Sequence, residues 1–333
     1  MGTCPDGTGP RRGVRAAAAL LLAAGAVRAA AAPEPAAPIR LMLGWTHQAQ
    51  FAGCYVAQER GLFAERGLAV EFLRGGPGHD PVASLADGTA DMALLWLCST
   101  LLACDRGTNP VHAAQYVNAS NLAIAAWKDR GIAAVGDLDG RRVSAWGDPF
   151  RPALRAFFKA NEIEPELVPQ YWSVNLFLRR GVDACSVMDY NEYHMLLLAG
   201  VDAPELTVFP LRDHGIDFPE DGLYAAPAFH AARPEAARRA ADAILAGWRD
   251  AARDPEAAVD IVMRYVTADK VAANRTHMRW MLLRLLPSIF PADGKSWTPG
   301  VLAKDRYDET ARWLVELGFV RSAPPYETFV RGS

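Results

Sequence analysis

The sequence predicts an α/β protein with two tandem α/β units and a closing layer of helices. After Pro38, short apolar runs alternate with longer helical patterns, a rhythm typical of a mostly parallel sheet with helices on both faces. The rhythm begins again near Asn121, and from Pro234 onward the pattern is helical alone. A chain of 333 residues, of which 51% are hydrophobic, is long enough to bury two medium-sized cores.

The first unit contains four predicted strands with helices between them. Short apolar runs predict the strands Ile39–Trp45, Leu68–Leu73, Met92–Trp96 and Val111–Val117. Apolar side chains at helical spacing predict the helices Gln48–Arg60, Pro81–Asp87 and Cys98–Arg106. Because a helix separates each pair of successive strands, we expect these strands to run mostly parallel.

The second unit repeats this order, and a helical region follows it. Its predicted strands are Asn121–Lys128, Arg142–Trp146, Leu167–Gln170, Val182–Tyr190 and Leu206–Leu211. Its predicted helices are Phe150–Asn161, Ser173–Arg180 and Asn191–Ala199. Prolines at a first turn predict further helices from Pro234 and Pro255, and amphipathic patterns cover Met278–Leu286 and Arg306–Gly318. We expect this helical region to cover the first unit.

The beginning of the chain differs in composition from the rest. Arginines precede the apolar stretch Ala16–Val27, and small residues follow it. This order predicts an export signal over residues 1–32, cleaved near Ala32, and a mature protein that is soluble in the periplasm. An Ala-rich tail without a role is the alternative, and the general and twin-arginine export routes both stay open. No later segment approaches the ~18 consecutive apolar residues that cross a bilayer.

Net charge and cysteine spacing exclude several classes of function. A formal net charge of −3 gives no attraction for nucleic acid, so none is expected as a partner. The cysteines beyond the export signal lack metal-ligand and Cys-x-x-Cys spacing, and they are Cys54, Cys98, Cys104 and Cys185. We expect four buried thiols and no metal or cofactor, with a bridge between Cys98 and Cys104 left open.

The ends of the predicted strands carry the candidate ligand contacts. In open α/β sheets, ligands bind beyond the carboxyl ends of the strands. Those positions hold mainly aromatic and neutral hydrogen-bonding side chains, with carboxylates in the second unit. The candidates are Trp45, His47, Gln48, Gly76, Trp96, Cys98, Gln115, Trp146, Asp148, Tyr190, Asn191 and Glu192.

Several of these candidates also have a purely structural interpretation. Trp45 and Trp96 would fill the core, and His47 would be an ordinary histidine with satisfied hydrogen bonds. Asp148 would cap the helix that follows it, and the "GGPG" run would be a tight turn. The ligand interpretation depends on the convergence of these segments at one end of two sheets.

The residue types at the strand ends favour a flat, amino-substituted nitrogen heterocycle. Trp45 and Trp146 offer ring faces, and stacking contributes about 0.5–1.5 kcal/mol beyond the burial of area. A carboxylate such as Glu192 accepts hydrogen bonds from an exocyclic amine and a protonated ring nitrogen together. Such a ligand would lie in a cleft between the two units.

Five segments resemble the periplasmic substrate-binding proteins of ABC importers, in the branch shared with the thiamine-pyrimidine synthase of fungi. They read "LMLGWTHQAQFAGCYVAQERGLFAERGLAVEFLRGGPGHDPVASLADGTADMALLW", "VSAWGDPF", "GVDACSVMDYNEY", "LRDHGIDFPEDGLYAA" and "PEAARRAADAILAGWRDAARDPEAAVDIV". The resemblance spans essentially the whole mature chain. It implies a type II periplasmic-binding-protein fold, which has two mixed, mainly parallel sheets joined by two crossover strands, and C-terminal helices.

The resemblance also implies domain boundaries and a pocket. Crossover strands are expected near Asn121–Asp129 and Asp221–Pro227, and the two lobes would close on the ligand about these strands. Lobe 1 would comprise residues 38–125 plus 224–333, and lobe 2 residues 126–223. The matching motifs put the pocket on Trp45, Trp96, Trp146, Tyr190, Asn191 and Glu192.

The function that the resemblance implies is that of a monomeric solute-binding component of an ABC import system. It would capture a thiamine pyrimidine precursor, of the hydroxymethylpyrimidine or formylaminopyrimidine type, and deliver it to a membrane permease and its ATPase. A riboflavin-like heterocycle, a sulfonate or nitrate are alternative ligands. An anion would need cations at the strand ends, where Arg74 and Arg151 are the basic residues.

A pyrimidine synthase is the enzymatic alternative. The related synthases use a lysine that holds pyridoxal phosphate and, one helical turn later, a histidine of their own chain, and the matching positions here read Leu95 and Ser99. Neither side chain forms a Schiff base or donates an imidazole. The synthases' cysteine-rich motif, GxSxG and HExxH are also absent from the sequence. We therefore expect no catalytic residues and no enzyme activity.

Overall fold

The computed structural model describes residues 1–2 and 37–330. Most of the predicted export signal, including its cleavage point near Ala32, lies outside the described residues. Within the described part of the chain, no helix is both long enough and apolar enough to cross a membrane.

In the described part of the chain, ten strands form two five-stranded sheets. The strands are β1 Ile39–Met42, β2 Val70–Leu73, β3 Met92–Trp96, β4 Val111–Gln115, β5 Leu122–Trp127, β6 Arg142–Trp146, β7 Glu166–Gln170, β8 Ala184–Met188, β9 Leu206–Pro210 and β10 Asp221–Ala225. The first sheet has the order β2-β1-β3-β10-β4, and the second has the order β7-β6-β8-β5-β9. Short runs of apolar residues form the central strands, because these strands are buried on both faces.

Each sheet contains one strand that runs against its neighbours. In the first sheet β1, β2 and β3 pair in parallel, whereas β10 is antiparallel to β3 and β4. In the second sheet β6, β7 and β8 pair in parallel, whereas β5 is antiparallel to β8 and β9. The chain therefore crosses between the sheets twice, from β4 to β5 and from β9 to β10. The predicted two-lobe α/β fold class is confirmed, while the residue boundaries of the lobes stay a prediction.

Helices connect the strands and form the last third of the chain. They are α1 Ala52–Glu59, α2 Pro81–Ala86, α3 Leu97–Asp105, α4 Arg151–Ala160, α5 Asn175–Leu178, α6 Glu192–Leu198, α7 Pro227–Ala232, α8 Pro234–Arg253, α9 Pro255–Ala268, α10 Arg275–Ile289, α11 Lys304–Glu316 and α12 Tyr326–Phe329. The prolines predicted to start helices do so in α8 and α9. Sequence analysis did not predict α7 and α12.

The C-terminal helices pack on the first sheet's helices through unusually close backbone contacts. α8 lies against α1, where Gly247 approaches Gly53. A Cβ atom at Gly247 would lie 2.1 Å from the Gly53 carbonyl oxygen, so only glycine fits there. This contact anchors the helical layer on the first unit, as the sequence predicts.

The two chain crossings are tied together at Glu220, whose side chain is 1% exposed. Its carboxylate accepts hydrogen bonds from the Asn121 backbone N–H at 2.6 Å, from Asn121 Nδ2 at 2.9 Å and from Ser120 Oγ at 3.3 Å. Asp217 accepts another from the Ser120 backbone N–H at 2.7 Å. We call residues 117–121 and 217–220 the hinge.

Candidate ligand-binding cleft

A cleft of about 820 Å³ lies where parallel strands of both sheets end. Residues that follow β1, β3, β6 and β8 line it, as expected for an open α/β sheet. The predicted site residues that the structure brings together here are Trp45, Gln48, Gly76, Trp96, Trp146, Asp148, Tyr190, Asn191 and Glu192. They come from both sheets, so a molecule in the cleft would touch both.

Three predicted site residues do not line this cleft. His47 Nδ1 lies 2.8 Å from the Tyr55 hydroxyl, in a group of aromatic rings behind the cleft wall. Cys98 is fully buried in α3. Gln115 is fully buried as well, and its Nε2 donates to the carbonyl oxygens of Val117 and Glu220. Cys98 and Gln115 turn into the protein interior and half-buried His47 turns toward Tyr55, and a position beside a strand end does not reveal these directions.

Aromatic rings from both sheets meet in the cleft. Trp45 lies against Trp172, with ring centroids 4.8 Å apart, and Trp96 meets Phe150 edge-on at 4.8 Å. Phe150 also contacts Trp146 at 4.8 Å. Trp45 and Trp96 both pack against the hydrophobic core, so the core interpretation and the cleft interpretation hold together. Sequence analysis missed Trp172, which follows β7 and is 58% exposed.

Glu192 is a cleft carboxylate contributed by the second sheet, at the first turn of α6. Its Oε2 accepts a hydrogen bond from the Met188 backbone N–H at 3.0 Å, and its Oε1 accepts one from Asn191 Nδ2 at 2.8 Å. Burial raises the pKa of Glu192 to about 7, against the lowering effect of these hydrogen bonds. Each oxygen keeps acceptor capacity for a ligand N–H group.

Asp221 is a second cleft carboxylate, contributed by the first sheet, and sequence analysis did not include it among the site residues. It begins β10 opposite Trp96 and is 4% exposed. Gln50 Nε2 donates to Asp221 Oδ2 at 2.7 Å, and Gln48 Nε2 donates to Gln50 Oε1 at 2.6 Å. Burial raises the pKa of Asp221 to about 6. Its position at the amino end of a crossover strand could have identified it. A strand that runs antiparallel to its neighbours brings its amino end to the edge of the sheet where ligands bind.

Positive charge is scarce in the cleft. Among the described residues that line it, Arg106 is the one guanidinium, and there is no lysine. The two basic strand-end residues do not line it and are ion-paired, Arg74 with Asp269 at 3.4 Å and Arg151 with Asp148 at 3.1 Å. Asp148 therefore pairs with Arg151 and does not cap α4 as predicted, because α4 begins at Arg151, after Phe150.

A pair of histidines joins the second sheet's α6 to α10 beside the cleft. Nδ1 of His194 lies 2.8 Å from Nδ1 of His277, and Nε2 of His277 lies 2.9 Å from Asn191 Oδ1. Trp280 stacks on His194 with ring centroids 4.4 Å apart. Burial, with the neighbouring His194, lowers the pKa of His277 to about 4, so a neutral imidazole lines the cleft. Sequence analysis missed His277 because α10 is distant in sequence from the strand ends.

The remaining predictions concern cysteines and metals. Cys54, Cys98, Cys104 and Cys185 are unbridged, and Cys104 is the partly exposed one. Among residues 37–330, no group of three or more His, Cys, Asp or Glu side chains is arranged to hold a metal ion.

Comparisons with known proteins concern the family and the fold of this chain. The sequence model of a family described as "NMT1/THI5 like" matches residues 48–258, more than half of the chain. A search of curated proteins finds no match.

Solved structures share the fold at low sequence identity. The periplasmic aliphatic sulphonate binding protein SsuA from Escherichia coli is 15% identical, with a TM-score of 0.66 over 89% of this chain and 91% of that one. The ligand-binding component of an ABC-type import system from Staphylococcus aureus is 13% identical, with a TM-score of 0.65 over 88% and 96%. The desulfurization enzyme DSZB is 15% identical, with a TM-score of 0.59 over 88% and 96%. At these identities the likeness concerns the fold alone, and the family match shows that the chain belongs to the NMT1/THI5-like family.

Proposed function

We propose that this protein is the periplasmic solute-binding component of an ABC import system and that it captures a thiamine pyrimidine precursor. The family match and the likeness to binding proteins of importers support the first part. The ligand would be of the hydroxymethylpyrimidine or formylaminopyrimidine type, and the partners a membrane permease and its ATPase. The predicted export signal supports a periplasmic location.

The observation that carries the ligand proposal is a partly buried carboxylate among aromatic rings. Glu192 is held by Met188 and Asn191, and Trp45, Trp96 and Trp146 line the same cleft. An aminopyrimidine edge presents two N–H donors side by side when its ring nitrogen is protonated, and a carboxylate receives both. The raised pKa of Glu192 allows a proton to be shared between ligand and protein.

Binding would act by closing the cleft. Residues 38–125 plus 224–333 and residues 126–223 are proposed to move about the hinge as two lobes. The ligand would favour the closed state because it touches both lobes there, and a permease would recognise that state. Catalysis is not part of the proposal, since Leu95 and Ser99 line the cleft at the positions where the related synthases need a lysine and a histidine, respectively.

A sulfonate is the second candidate ligand, because Arg106 lines the cleft and carries no ion pair with a described residue. E. coli SsuA, which shares the fold, is named as a sulphonate-binding protein. Two buried carboxylates in the same cleft oppose an anion, since like charges repel strongly where solvent is excluded. The aminopyrimidine therefore remains the better supported ligand.

Calorimetric titration of the mature protein tests the proposal. The protein is first unfolded and refolded to remove any carried ligand, then titrated with hydroxymethylpyrimidine, formylaminomethylpyrimidine, riboflavin and an alkanesulfonate. We expect a pyrimidine to bind with a Kd on the order of 1 μM or tighter. Glu192→Gln should weaken that binding about 100-fold, because a charge-assisted hydrogen bond is lost.

The matched control for this experiment is Glu166→Gln, on a strand of the second sheet, where the side chain is 65% exposed and does not line the cleft. It should bind pyrimidine like the wild type. Absence of binding to every pyrimidine, together with tight binding of the sulfonate or riboflavin, would overturn the ligand assignment.

A further inference from the structure

A buried and a partly buried carboxylate in one cleft are more than a single aminopyrimidine edge requires. Glu192 belongs to the second sheet and Asp221 to the first, and both line the cleft. Tyr190, 3% exposed, lines the same cleft, and burial, with a smaller contribution from nearby carboxylates that include Asp221 and Glu192, raises the pKa of its hydroxyl. A ligand that fills the cleft between the sheets would therefore lie against both residues.

The hydrogen bonding of Asp221 leaves one of its oxygens open. Gln50 holds Oδ2 at 2.7 Å, and Gln48 holds Gln50, so the carboxylate is fixed in place. Oδ1 is buried and has no hydrogen-bond partner among the described residues. Burial raises the pKa of Asp221, and Gln50 and, to a smaller extent, the Trp96 side chain lower it, although no hydrogen bond of normal geometry joins Trp96 to Asp221. A buried carboxylate oxygen without a donor is costly, and native structures usually satisfy such groups with a ligand, water or ion.

The protein supplies no compensating cation to this carboxylate. None of the ion pairs formed by the described residues includes Asp221. Arg106 is the one guanidinium lining the cleft in the described part of the chain. The site therefore favours a positively charged ligand group beside Asp221.

We propose that Asp221 forms a second cation subsite, so that the preferred ligand carries a basic amine in addition to the aminopyrimidine edge received by Glu192. The inference rests on the proposed function and narrows its ligand to an aminopyrimidine with a charged aminoalkyl arm. The ring would lie among the tryptophans, with its edge toward the second sheet and its ammonium group toward the first. An ammonium has three donors and satisfies Oδ1 while it neutralises the carboxylate.

Three ligands that share the ring and differ in the arm test this inference. They are aminomethylpyrimidine, whose arm is charged at pH 7.5, and the hydroxymethyl and formylaminomethyl compounds, whose arms are neutral. We expect calorimetry to give at least about 10-fold tighter binding of the aminomethyl compound to the wild-type protein. Asp221→Asn should remove this preference, weakening aminomethyl binding about 10-fold and hydroxymethyl binding less than about 3-fold.

Control variants separate the lost charge from lost folding. Asp221→Glu keeps the charge and should keep a preference for the amine, while Asp213→Asn, 62% exposed and outside the cleft, should bind like the wild type. The wild-type ligand series itself requires no variant to fold.

The outcomes of the series are distinct. Equal binding of charged and neutral arms by the wild-type protein, or an unchanged preference in folded Asp221→Asn, would overturn the amine subsite and leave the pyrimidine proposal standing. Absence of binding to all three rings would overturn the proposed function, and this inference with it.

Discussion

The hinge residue Glu220 and the cleft residue Asp221 are neighbours in sequence, and both carry a buried carboxylate. The two carboxylates differ in how many hydrogen bonds they receive. Glu220, in the hinge, receives three hydrogen bonds from Ser120 and Asn121. Asp221, in the cleft, receives one from Gln50 and keeps one oxygen open. Exposure does not separate them, at 1% and 4%. The number of satisfied oxygens separates a carboxylate that holds the chain together from one that is free to bind.

The difference also couples the two regions. Burial raises the pKa of Glu220 to about 8, and the negative charge on Asp221 contributes to that shift. A cation bound at Asp221 would reduce the repulsion between the two carboxylates. Ligand binding in the cleft would therefore favour the ionised form of Glu220, in which it accepts all three hinge hydrogen bonds.

Removing the hinge carboxylate should have the largest effect on stability. Glu220→Ala leaves the buried N–H and hydroxyl groups of Asn121 and Ser120 without an acceptor. We expect it to lower the free energy of unfolding by about 3 kcal/mol, measured by urea denaturation. Asp221→Asn should change it by less than about 1 kcal/mol, because one hydrogen bond is at stake. An Asp221→Asn variant that is as strongly destabilised as Glu220→Ala would contradict the difference drawn between the two carboxylates.

A change of pH should affect the free energy of unfolding through the hinge carboxylate, by a smaller amount than the Glu220→Ala substitution. The folded-state pKa of Glu220, about 8, lies above the ordinary glutamate value of 4.5, so its contribution to stability is full below about pH 4.5 and is lost as the pH rises toward 8. Relative to Glu220→Gln, wild-type protein should lose at least about 1 kcal/mol of unfolding free energy between pH 5 and pH 8. Parallel pH profiles of the two proteins would contradict the assignment.

Two buried histidines differ in hydrogen bonding as the two carboxylates do. Replacing them should have the smallest effect on stability. His112 in β4 is fully buried and has no hydrogen-bond partner for either ring nitrogen among the described residues, whereas His277 has one for each. His112→Phe should therefore be neutral or stabilise the protein by up to about 1 kcal/mol in urea denaturation, whereas His277→Phe should destabilise it. A loss of stability in His112→Phe larger than that in His277→Phe would contradict this account.

The stability of the protein below pH 6.5 gives a second test of the account of His112. Burial lowers its pKa from 6.5 to about 3, so stability that is present above pH 6.5 is lost as the pH falls toward 3. The His112→Phe variant should lose less stability over that interval than the wild-type protein.

The sequence predicted the sheets and most of their helices because their signals are local. Apolar runs such as Met92–Trp96 and first-turn prolines such as Pro234 define an element from its own residues. The aromatic and carboxylate character of the cleft followed from the rule that ligands bind at strand ends.

The parts of the site that sequence reasoning missed depend on direction and on distant packing. Asp221 reaches the cleft because β10 runs against β3, and His277 reaches it because α10 returns to α6. His47 and Gln115 are adjacent to strand ends but turn inward. The spacing of residues along the chain encodes neither the direction of a crossover strand nor the side toward which a side chain points.

A crystal structure of the mature protein with an aminopyrimidine bound tests the central claim most directly. The account predicts the ring in the cleft among Trp45, Trp96 and Trp146, with its exocyclic amine and adjacent ring nitrogen within about 3 Å of the Glu192 carboxylate. A pyrimidine bound elsewhere, or a ring in the cleft that turns its amine away from Glu192 toward solvent, would contradict it.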